Sequence, residues 1–92
     1  MIKNFKYGDK VLLKSFHNTV NAPKDIDDTE NYWKLIGSVG QIISEEYKKH
    51  PAFSDMGERT LVKFEDMTTY GLCCHNEVSN SLWIFLSDLK HV

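Results

Sequence analysis

Nowhere along this chain do apolar residues recur at the three- and four-residue spacing of an amphipathic helix, and that absence bounds the fold more tightly than any other feature. In its place stand short runs of alternating, β-branched and aromatic residues, each bounded by Gly, Pro, Asn or Asp. The strongest is Leu82-Trp83-Ile84-Phe85-Leu86, with Leu82, Ile84 and Leu86 on one face and Trp83 and Phe85 on the other. After the Gly8-Asp9 turn, Val11 and Leu13 share a face, with Lys10, Leu12 and Lys14 opposite. A second strand is expected over residues 39–47, entered across Gly37 and Gly40, which mark a bend or a close backbone approach. Arg59-Thr60-Leu61-Val62-Lys63-Phe64-Glu65 turns Val62 and Phe64 inward, and after a turn at Asp66-Met67 residues 70–75 pair back. Ser87-Asp88-Leu89 is a tight turn, and Lys90-His91-Val92 closes the chain as a short strand. The expected core is Val11, Leu13, Ile42, Val62, Phe64, Ile84 and Leu89.

A length of 92 residues is one domain, and an apolar fraction of 41% is enough for a core. Five or six short strands are too few for a sandwich, so the expected class is all-β, a small antiparallel barrel, partly open or closed. Residues 17–37 show no periodicity and form a long loop, with one short helical turn near Asp28-Thr29-Glu30-Asn31-Tyr32-Trp33. Loops of this length in small domains usually carry function, and residues 48–57 form another loop. No apolar run approaches the roughly 20 residues of a membrane span, and the N-terminus lacks the apolar stretch of a secretory leader. The two cysteines, Cys73 and Cys74, are neighbours whose side chains diverge, so free thiols and a reducing cytoplasm are expected. Lysine far outnumbers the single Arg59, a bias of AT-rich bacterial or phage genomes.

Little in the chain points to catalysis. Cys73 and His75 share a strand face, but a metal there needs further ligands, with His17, His50 and His91 as the candidates. Asp25-Ile26-Asp27-Asp28-Thr29-Glu30 lacks the glycine and the distant glutamate of a calcium loop. No phosphate loop, nucleophile elbow or zinc-protease motif is present. The expectation is therefore no catalytic residue, no metal and no cofactor. The aromatics are more telling. A strand cannot hide both faces in one barrel core, so Trp83 and Phe85 must be covered by the long loop, through Tyr32 and Trp33, or by a partner. The expected contact site for another protein is Tyr32, Trp33 and Trp83, with Asp27 and Asp28 as an acidic flank.

Gly8-Asp9-x-Val11-x-Leu13, then Gly37-x-x-Gly40-x-Ile42, Leu61-Val62-x-Phe64, Leu82-Trp83-Ile84 and Ser87-Asp88-Leu89 together resemble the SH3-like small barrels. The likeness is to their bacterial and KOW-type branch. It implies that residues 17–37 correspond to that family's RT loop, and that a single helical turn precedes the last strand. The paired aromatics of the branch that binds Pro-rich peptides are missing, and so is its final Pro-x-x-Tyr. Two functions follow. One is a non-enzymatic protein-binding module of a bacterial cytoplasm, of the kind that serves as an immunity protein or toxin antagonist. The other is a KOW-type, nucleic-acid- or ribosome-associated barrel using Lys10, Lys14, Lys34 and Lys63. A net charge of −2 argues against tight nucleic-acid binding unless those lysines share one face.

Overall fold

The computed structural model describes residues 5–44, 47–49, 57–74 and 78–92, and within them the secondary structure is mostly strand. The strands are β1 (Lys10–Leu13), β2 (Val39–Ile42), β3 (Lys48–Lys49), β4 (Glu58–Lys63), β5 (Ser81–Phe85) and β6 (Leu89–His91). All pairings are antiparallel. β4 meets β5 along one edge and both β2 and β3 along the other, so the order is β5, β4, β2 with β3, β1, β6.

The strand expected over residues 39–47 is therefore two pieces on one edge. Ile42 faces Val62 and Lys48 faces Arg59, which leaves three more residues on the β2–β3 side than on β4. The surplus interrupts the ladder, although the Ile43 amide still donates to the Leu61 carbonyl at 3.0 Å. The expected loop at 48–57 begins with β3, and its residues 50–56 lie outside the described residues, as do Glu45 and Glu46.

Alternation places the core as the sequence implies. Val11, Leu13, Ile42, Val62, Phe64, Ile84 and Leu89 are all buried in one cluster. The end strands β5 and β6 both feed that cluster through Ile84 and Leu89. Phe5, ahead of β1, and Phe16, Leu35, Met67 and Leu72 in the connections complete it.

Residues 70–75 were expected to pair back on β4. Instead a single helical turn, α1 (Asp66–Thr69), follows β4, and residues 70–74 form no strand; His75 lies outside the described residues. The reason is local. Gly71, at φ 64°, takes the left-handed cap position. The Leu72 amide then donates to the Met67 carbonyl at 3.0 Å and the Gly71 amide to Thr68 at 3.2 Å. This Schellman stop brings Met67 and Leu72 together, and both enter the core.

Candidate functional site

The long loop starts as a tight hairpin. Phe16 and Thr19 exchange both backbone hydrogen bonds, at 2.9 and 3.1 Å, around His17 and Asn18 at φ 51° and 60°. Two successive positive φ values make the type I′ turn, and Asn tolerates that region well. The amides freed by the turn point at one carboxylate: His17 donates to Asp88 Oδ2 at 3.0 Å and Asn18 to Oδ1 at 2.9 Å. The Ser15 hydroxyl donates to the same carboxylate, and the Lys14 amide to the Asp88 carbonyl at 2.9 Å. Asp88 is fully buried, in the turn Leu86–Asp88 between β5 and β6. The sequence placed a tight turn there and missed its role: Asp88 fastens the root of the loop to the end of the sheet.

Farther along, the helical turns Asp28–Glu30 and Tyr32–Leu35 bring the chain back, with Leu35 in the core. The ring of Trp33 meets Phe16 edge-on at 4.8 Å, and Tyr32 lies tilted on Phe16 at 5.6 Å. The Tyr32 hydroxyl donates to the Cys73 carbonyl at 2.7 Å, and the Cys73 amide donates to the Thr29 carbonyl at 2.7 Å. These two bonds clamp the loop to the segment after α1. Burial pushes the Tyr32 phenol above its ordinary pKa, helped by Glu30, Cys73 and Cys74. Asp27 and Asp28 are exposed, and Asp28 lies 3.9 Å from Lys34, a solvent-screened pair of small energetic weight.

The face opposite the core divides between two fates. Phe85 is buried, at 1% exposure, with the His17 ring set edge-on to it at 5.4 Å. The long loop thus covers one of the two aromatics, through His17. Tyr32 and Trp33 lie against Phe16 and the core. Trp83 stays half-buried beside its cross-strand neighbour Leu61. Lys48 Nζ lies 5.1 Å from its ring centroid and the Arg59 guanidinium carbon 6.0 Å. Burial holds the Arg59 guanidinium below its ordinary pKa. The Arg59 side-chain Nε has no hydrogen-bond partner among the described residues. These two cations were not legible in the sequence, because their meeting with Trp83 depends on the β3–β4–β5 register.

Paired residues project to the same side of a sheet, so Lys10, Gln41 and Lys63 form a row on this outer face. They line a groove of about 220 Å³ with Val39, Gly40 and Glu65. Glu65 lies 3.4 Å from Lys63. Of the four lysines singled out in the sequence, Lys10 and Lys63 therefore meet, while Lys34 lies by Asp28 on the loop.

Cys73 is an exposed thiol and Cys74 a half-buried one, its Sγ 3.2 Å from the Val78 carbonyl oxygen. Among the described residues no group of three His, Cys, Asp or Glu side chains is placed to hold a metal. His50 and His75 lie outside them. No helix among the described residues is long and apolar enough to cross a membrane. Compared with family models, with curated proteins and with solved structures, the chain matches none.

Proposed function

We propose that this chain is an SH3-like small barrel that works, without catalysis, by binding another protein through the outer face of its sheet around Trp83. The barrel reading is supported by the strand order, the long excursion after β1 and the helical turn Leu86–Asp88 before the last strand. One observation carries the binding reading: Trp83 and Leu61 remain half-buried side by side under Lys48 and Arg59, while Phe85 on the same face is sealed by the loop. Tryptophan and arginine are among the residues most enriched at the hot spots of protein interfaces. Tyr32 and Trp33 contribute by holding the loop that seals Phe85, and Asp27 and Asp28 form its exposed acidic rim. A bacterial cytoplasmic setting and an immunity-protein-like role belong to the same proposal, on the lysine bias, the thiols and the small size. The KOW-type reading stands second, because its Lys34 lies apart from Lys10 and Lys63, beside Asp28.

The test is the Trp83→Ala variant. The free protein is expected to lose no more than about 1 kcal/mol in urea denaturation, as for a surface-facing ring. A partner captured by the wild type from a bacterial lysate, and identified by mass spectrometry, is expected to be lost by the variant. A loss of several kcal/mol in the free protein, with capture unaffected once folding is restored at low temperature, contradicts the reading.

A further inference from the structure

The outer face has a charge pattern that the whole-chain net charge conceals. Its strand positions include Lys10 on β1, Lys48 on β3, Arg59 and Lys63 on β4, and Lys90 on β6, each placed there by its cross-strand partner. None of the strand positions on that face is acidic. Glu65, just past β4, reaches the edge of this face and lies 3.4 Å from Lys63, while Asp25, Asp27, Asp28 and Glu30 sit on the long loop. At net −2, the chain therefore separates a basic sheet face from an acidic loop.

We infer that the partner surface this face takes is an extended acidic segment of another protein, with a carboxylate on Arg59 beside Lys48 and an apolar side chain against Trp83 and Leu61. The inference rests on the protein-binding reading above and deepens it. Charge complementarity selects the occupant. Arg59 has no carboxylate among the described residues, and its fork geometry suits one. A single-stranded nucleic acid would also meet the positive charge, but the acidic loop and the net −2 repel a long polyanion more than a segment with a few carboxylates.

The experiment titrates the full chain, carrying Trp33→Phe so that Trp83 alone reports, with three probes. These are a twelve-residue peptide alternating Glu with Leu and Phe, the same peptide with Gln for Glu, and a twelve-nucleotide oligouridylate. The acidic peptide is expected to shift Trp83 fluorescence and to bind at least tenfold more tightly than the Gln peptide and the oligonucleotide. The K48Q/R59Q variant should weaken it at least tenfold, while K24Q, at an exposed position on the long loop, leaves it within twofold. Circular dichroism confirms that both variants remain folded. Equal binding of the Glu and Gln peptides overturns the acidic assignment and leaves a protein-binding face intact. Preference for the oligonucleotide, abolished by K48Q/R59Q, overturns both readings. Absence of peptide binding while the Trp83-dependent partner is still captured overturns the inference alone.

Discussion

Replacing Asp88 with Ala is expected to lower stability by about 2–4 kcal/mol and to free the first part of the long loop. Hydrogen bonds to a charged group contribute about 1.5–3 kcal/mol each, and buried donors left without an acceptor add their own desolvation cost. The Asp88 carboxylate accepts from the His17 and Asn18 amides and the Ser15 hydroxyl, all joined across some 70 residues of chain. Both amides belong to the positive-φ turn, so their orientation is fixed whether or not the acceptor is present. Asp88→Asn keeps the shape but offers one carbonyl oxygen in place of two, and should lose about half as much. Ser15→Ala should cost about 1 kcal/mol. Urea denaturation gives the magnitudes, and amide hydrogen exchange at His17 and Asn18 gives the location. An Asp88→Ala midpoint equal to wild type, with slow exchange kept at those two amides, would show that the loop is held by its apolar contacts alone.

Gly40→Val is expected to cost about 2–3 kcal/mol, the range of an overpacked core. A Cβ at Gly40 would lie 2.7 Å from Phe64 Cε1 and Val62 Cγ1 and 2.8 Å from Phe64 Cδ1. All three atoms belong to fully buried side chains on β4 and just after it, with no room to retreat. Gly37 differs in kind: it sits at φ 92° with nothing within 4 Å of an added Cβ. Gly37→Ala should therefore cost about 1 kcal/mol through backbone strain alone. The two mechanisms separate in a double-mutant cycle with Phe64→Leu. Relief of the ring should recover part of the Gly40→Ala loss and none of the Gly37→Ala loss. Equal recovery at both positions would mean that packing against Phe64 is not what requires Gly40.

Period-two alternation made the core readable, because each strand has one dry face: Val11 and Leu13, Val62 and Phe64, and Ile84 behave as their spacing implies. The short helical turn before Trp33 was visible in the run of Asp28 to Trp33. What the sequence did not disclose depends on contacts between distant residues. Asp88 looks like an ordinary turn aspartate until the fold brings the His17-Asn18 turn onto it. Leu72 reads as part of a returning strand because its neighbours are β-compatible, yet Gly71 ends α1 first and turns Leu72 into the core. The division between Phe85 and Trp83 was half legible. Alternation put both outside the core, but only the hairpin at residues 16–19 determines which one His17 covers. The basic outer face was hidden for the same reason. Lys48 and Arg59 are eleven positions apart in the chain, and register alone makes them neighbours.

Trp83, half-buried beside Lys48 and Arg59, leaves part of its ring open on the outer face as a contact surface, and iodide quenching tests this most directly. Trp33→Phe leaves Trp83 as the only indole, and Trp83→Phe leaves Trp33. The Trp83 emission of the isolated monomer is expected to be red-shifted and readily quenched by iodide, with quenching enhanced by Lys48 and Arg59, which attract the anion. Trp33, packed on Phe16 and the core, should be the more protected of the two. If Trp83 instead emits as a buried indole and resists iodide in the monomer, its ring is covered by the chain itself and the contact-surface account is wrong.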